Sequence, residues 1–109
     1  MANIYQNAKV DLTGNTATTV VTAPSTSRLI LKSIIVSEDS GNADSITLTI
    51  TDAAGAVFSL FKTKAISANE TLELLSQPLI LQESEILKAT AATANRLHIV
   101  VSMLEINRS

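Results

Sequence analysis

The stretch "ADSITLTITDAAGAVFSLF", residues 43 to 61, decides the reading of the fold. Ile46, Leu48 and Ile50 alternate with Thr47, Thr49 and Thr51. A period of two puts the three aliphatic side chains on one face of a strand and the threonines on the other. β-branched residues on both faces suit a pleated, half-buried surface. "DAAG" at Asp52 to Gly55 interrupts with turn formers, and a second apolar run begins at Val57. The pattern predicts a β-hairpin with Leu48 and Ile50 pointing into a core.

The sequence to either side follows the same logic. Ala8 to Leu12 reads as a strand, "TGN" at Thr13 to Asn15 as a turn, and Thr16 to Val21 as a second strand. Pro24 marks the loop "APSTS", residues 23 to 27. In Arg28 to Ser37 the alternation slips: Leu29 and Leu31 have one parity, Ile34 and Val36 the other. A bulge at Lys32 and Ser33 would bring all four to one face, since one extra residue resets the alternation; a central strand apolar on both sides is the alternative. "SEDSGNADS", residues 37 to 45, reads as an exposed loop. Ile66 to Gln82 contains a strand pair or one bent strand, with Pro78 requiring an edge or a break. The best helix candidate is "SANETLELLSQ", residues 67 to 77, where Ser67 and Glu70 have capping-box spacing, but strands flank it. Glu85 to Ala91 is a short strand. Arg96 to Ile106 closes the chain and is apolar on both parities, which implies a central position or a face turned to a partner. About eight short strands without a convincing helix point to a single antiparallel β-sandwich over residues 1 to 109.

Composition narrows the function. With 109 residues the chain makes one domain, whose small size leaves much surface exposed. Hydrophobic residues are 46% and charged residues 17%, with a mean hydropathy of +0.30, so part of the apolar surface is expected to face a partner. No apolar run is long enough to cross a bilayer, and "MANIYQNAKVDL" lacks the basic start and apolar core of a signal peptide. The net charge of -2 gives no attraction to nucleic acid backbones, and Tyr5, Phe58 and Phe61 are too few for base or sugar stacking platforms. No cysteine is present, so there is no disulfide framework and no thiolate.

Chemistry is equally sparse. His98 is the only histidine, with no Cys or second His to share a metal, and reads as structural or surface. Glu83 and Glu85 have the spacing to share a strand face, but lack the aromatic cleft of a glycosidase. Glu38, Asp39 and Asp44 around Gly41 do not follow the calcium-loop pattern. No catalytic, cofactor or metal site is therefore assigned. The partner-contact candidates are Ile4 and Tyr5, the large anchors in residues 1 to 7, a candidate N-terminal docking arm, together with Lys62 and Lys64. Those lysines would meet an acidic partner or protect an edge strand.

The segment "VVTAPSTSRLILKSIIVSEDSGNADSITLTITDAAG", Val20 to Gly55, resembles a type of small virion structural protein of tailed bacteriophages. In these a "TAP" turn leads to a strand containing "KSI", a polar loop and a Thr-alternating strand. "ETLELLSQPLILQESEILKATA" and the closing "HIVVSMLEI" continue the resemblance. It implies a compact, jelly-roll-like sandwich without an active site, present in many copies on a virus particle. The implied role is a capsid decoration (cement) protein bound to the major capsid protein or other virion proteins. Its implied place is the outer capsid surface, after synthesis in the host cytoplasm. A tail, neck or fibre-attachment component is the alternative, and a carbohydrate-binding module a remote one. High apolar content, the closing strand and three-fold capsid sites suggest a homo-oligomer, with a trimer favoured, that uses neither nucleic acid nor membrane as partner.

Overall fold

A computed structural model of the chain describes residues 2 to 107. The strands are β1 (Ala2–Leu12), β2 (Thr18–Thr22), β3 (Ser27–Glu38), β4 (Asp44–Thr51), β5 (Val57–Ile66), β6 (Thr71–Glu73), β7 (Leu79–Leu81), β8 (Ile86–Ala91) and β9 (Leu97–Asn107). They form two antiparallel sheets. One has the order β1-β9-β3-β6, with β7 also paired to β3; the other has the order β2-β8-β4-β5. Most connections pass from one sheet to the other, and the interleaved order is that of a jelly roll, whose two sheets close over a common core. No helix occurs among the described residues.

The opening hairpin folds as its alternation predicts. Ile46, Leu48 and Ile50 are buried, while Thr47, Thr49 and Thr51 are half-buried on the other face. Asp52 organises the turn: its Oδ1 accepts the backbone N–H groups of Ala54 at 3.0 Å and Ala56 at 2.9 Å. Gly55 turns the chain with φ of 93°, a conformation that a side chain disfavours.

The bulge in β3 is present. Leu31 pairs with Met103 and Ser33 with Ser102, so Lys32 is the extra residue. Leu29, Leu31, Ile34 and Val36 consequently all reach the core. On the other edge of β3, β7 pairs with Leu29 to Leu31 and β6 with Ile35 to Ser37. Glu73 fills the gap between them. It accepts the Ser33 hydroxyl and the backbone N–H groups of Ile34 at 2.8 Å and Leu75 at 3.2 Å.

Several boundaries differ from the sequence reading. Of the two readings of Ile66 to Gln82 the strand pair is the one found, β6 and β7 on either side of the break that contains Pro78, which gives nine strands among the described residues. β1 begins at Ala2, so it takes in residues 2 to 7 as well as Ala8 to Leu12, in unbroken register with β9. β2 is Thr18–Thr22, displaced from Thr16 to Val21. The helix candidate is not helical: the Ser67 N–H donates to Glu70 Oε1 at 2.7 Å and the Glu70 N–H to the Ser67 carbonyl at 3.1 Å. These contacts close a turn that carries the chain from β5 to β6. Glu83 and Glu85 also lie in a turn, between β7 and β8, and do not share a strand face. There the Gln82 N–H donates to Glu85 Oε1 at 2.8 Å. Both turns place their third residue at positive φ, Asn69 at 58° and Ser84 at 67°.

β9 owes its double apolar pattern to a central position, between β1 and β3. Leu97, Ile99, Val101 and Met103 enter the core, while Val100, Leu104 and Ile106 lie half-covered on the outer face.

Candidate interaction surface

Cross-strand register assembles an apolar row on the outer face of the β1-β9-β3 sheet. Tyr5 pairs with Leu104, Leu104 with Ile30, and Ile30 with Ile80. Directly opposed residues share a face, so these four side chains line up across four strands. Tyr5 is 75% exposed and Ile80 54%, whereas Leu104 and Ile30 between them are half-buried. Farther along the same face, Lys9 pairs with Val100, and Val100 with Ile35, another exposed apolar residue. Single exposed hydrophobic residues are ordinary; here Tyr5 and Ile80 fall at the two ends of one apolar row, which makes this face the candidate surface.

Beyond this row the face becomes polar. Asp11, His98 and Ser37 are register partners. His98 lies between two carboxylates: its Nδ1 is 3.2 Å from Asp11 and its Nε2 3.0 Å from Asp39. The two nitrogens point in opposite directions, so the arrangement clamps the ring instead of converging on a single point. It ties β1, β9 and the β3–β4 loop together, beside a shallow groove bordered by Lys9, Val10 and Val100.

The carboxylates of the 37 to 45 segment diverge. Glu38, 2% exposed, accepts the backbone N–H and hydroxyl of Ser40 and the N–H groups of Gly41 and Asn69, each of the last two at 3.0 Å. Burial alone would raise its pKa. The Asn69, Ser40 and Gly41 donors outweigh that and lower it from 4.5 to about 2. Asp39 faces His98, and Asp44 Oδ2 accepts the Thr93 N–H at 3.1 Å. No group of three or more potential metal ligands occurs among the described residues. Glu73 behaves like Glu38 in milder form: burial pushes its pKa up, and the Ser33 hydroxyl with the Ile34 and Leu75 amides brings it below the ordinary value.

Of the residues singled out in the sequence, Ile4 and Tyr5 lie on opposite faces of β1, Ile4 46% exposed. Both are far from Lys62 and Lys64, which lie exposed on the edge strand β5 of the other sheet. Thr63 between the lysines has φ of 51° and donates its N–H to Thr47 Oγ1 at 3.0 Å, which interrupts the alternation that would have put both on one face. Exposed Val57 and Phe58 follow the Asp52 turn. Sequence reading missed the row itself, since Ile30, Ile80 and Leu104 meet only through register.

No protein-family model matches this chain, and no curated protein is significantly similar in sequence. Solved structures do resemble it. A chain from Bacillus endospore appendages, described as disulfide-linked pili, superposes with a TM-score of 0.61 at 10% identity, covering 98% of this chain and 89% of that one. A chain from the acid-stable capsid of Helicobacter pylori bacteriophage KHP30 gives 0.56 at 12% identity, over 100% of this chain and 90% of the other. A chain of infectious bursal disease virus, Gx strain, gives 0.57 at 10% identity, over 94% of this chain but 32% of the viral one. At such identities the likeness is one of fold: the chain has a β-sandwich fold also found in capsid and pilus proteins.

Proposed function

We propose that this chain is a small structural subunit of a bacteriophage virion, most specifically a decoration protein on the outer surface of the capsid. The observation that carries the reading is the full-length match to a chain of the KHP30 capsid, of similar size and with the same sandwich. The motif resemblance over Val20 to Gly55 points the same way. So does the row Tyr5–Leu104–Ile30–Ile80, whose exposed ends, Tyr5 and Ile80, suit contact with another protein.

A decoration protein works by adding contact area across seams between shell subunits. Apolar burial contributes about 25 cal/mol per Å² before the cost of association. Many weak contacts held at several points then act together. A jelly roll suits this work because its closed core keeps the contact face rigid. The apolar row would lie on the major capsid protein, and Lys62 and Lys64 on the opposite sheet would remain available to an acidic neighbour. Tyr5, in the part of β1 that precedes Ala8, is the outermost member of the row and would meet the partner first. A homo-oligomer fits the role, a trimer being the form that a three-fold capsid site selects. The subunit would be made in the host cytoplasm and added to the shell.

The pilus likeness suggests a second kind of assembly, but this chain has no cysteine with which to form disulfide links. A tail, neck or fibre-attachment role keeps the virion reading and changes the copy number. Quantitative mass spectrometry of virions from the phage that encodes the chain separates the two. Copies comparable in number to the major capsid protein support decoration. Copies matching the few positions of a tail or neck overturn it, and absence from virions overturns the virion reading altogether.

A further inference from the structure

We infer that the outer edge of β1 is a docking edge for a second copy of this chain, β1 pairing antiparallel with β1 across a two-fold axis. The inference begins with a comparison of the sheet edges. A free edge offers a row of unpaired N–H and C=O groups to any other strand, and proteins blunt such edges with short strands, bulges, Pro or Lys. Three of the edges here are blunted. β2 has 5 residues and a register shift. β5 carries Lys62, Lys64 and two register shifts. On the third edge β6 and β7 have 3 residues each, with Pro78 in the break.

β1 has only one of these features, a single Lys, Lys9, in its second half. It runs for 11 residues without Pro, Gly or bulge, bonded along its whole length to β9 on one side. Its other side has no strand partner among the described residues. Ala2 to Ala8 carry no charge. Asn3 to Asn7 are exposed on both faces, so this half of the strand is held by the β9 ladder and not by core burial.

The strand is complementary to itself. A two-fold axis perpendicular to the sheet pairs residues of equal parity, which keeps like faces on one side. In the register that uses all of β1, Ala2 stands opposite Leu12 of the second copy, Ile4 opposite Val10, and Tyr5 opposite Lys9. Asn3 then faces Asp11, and Asn7 faces its own counterpart. No like charges oppose each other. Ile4 gains an apolar neighbour, and the Lys9 ammonium comes beside the Tyr5 ring. On the outer face, Tyr5–Leu104–Ile30–Ile80 continues into Lys9–Val100–Ile35 of the second copy. The pairing closes at two copies, so a three-fold grouping would belong to the shell site and not to the free protein.

Sedimentation equilibrium of the purified chain tests the pairing, and does so whether or not the chain proves to be a virion component. A dimer is expected. Asn7→Lys sets two like charges opposite each other at the axis and should weaken the dimer several-fold, as should Asn7→Asp, with unchanged circular dichroism because Asn7 is exposed. Mixing the two variants should restore the dimer as a heterodimer. A wild-type monomer or trimer overturns the inference, as does a dimer indifferent to both variants or a mixture that fails to recover.

Discussion

Glu38 is the residue whose environment departs most from its surroundings. It is charged and buried at the end of β3, yet both oxygens are fully engaged by donors from two loops. Its pKa in the folded chain, about 2, lies below the ordinary 4.5, so its contribution to stability is complete above about pH 4.5 and fades as pH falls through 2. Glu38→Gln removes the charge and turns an amide N–H₂ toward N–H groups. The variant should therefore be less stable than wild type at neutral pH, and the two should converge on acidification. Urea denaturation at a series of pH values checks this; a gap that stays constant or widens toward pH 2 contradicts the assignment. Glu73 adds a dependence of the same sign. The alternation in β4 gives a second residue-scale expectation. Leu48→Ala should cost about 2–5 kcal/mol, because it leaves a cavity at a fully buried site. Thr49→Ala, on the other face, should stay within about 0.5 kcal/mol. Equal losses would mean that both faces of β4 are core.

Among the elements, β3 has the most exacting sequence. Its bulge puts two apolar pairs of opposite parity on one face, and Lys32 is the residue that makes the shift. Lys32→Ala keeps the extra residue and should change stability by no more than about 0.5 kcal/mol. Deleting Lys32 forces either Leu29 and Leu31 or Ile34 and Val36 out of the core. At about 2–5 kcal/mol for each lost aliphatic side chain, that approaches the whole stability of a small domain, about 5–15 kcal/mol. The deletion should fail to fold, as read by circular dichroism, and a native-like melt would contradict the bulge. This feature was legible in the sequence because burial on one face writes itself as parity. The first half of β1 was not legible for the same reason in reverse: Asn3 to Asn7 bury neither face, so no alternation marks them, and only the distant β9 makes them a strand. Ser67 and Glu70 showed their reciprocal contacts but not their setting, since the same spacing closes a helix start or a turn between sheets. Asp11 and Asp39 could not be assigned to His98 because topology alone brings them to either side of the ring.

At the scale of the whole molecule, the first strand and the last are neighbours: Ala2 pairs with Asn107, and β9 must find both β1 and β3 before its sheet exists. Among the described residues, only the β4–β5 hairpin is a long ladder between strands adjacent in sequence. The remaining ladders close large loops, so most of the entropic cost of ordering the chain comes before the contacts that offset it. Such a chain should refold in about milliseconds to seconds, far slower than a helical domain of its length. The same topology bears on the proposed role, because a closed sandwich stitched by its terminal strands has little that can open separately. Amides of the central strands β9 and β3, bonded on both sides, should exchange with solvent most slowly, through global unfolding alone. Stopped-flow refolding from urea, with hydrogen exchange followed in parallel, tests both consequences. Refolding complete within microseconds, or β9 amides exchanging as fast as those of the exposed Asp52 turn, would mean that the sheets are not the cooperative unit that the proposed role requires.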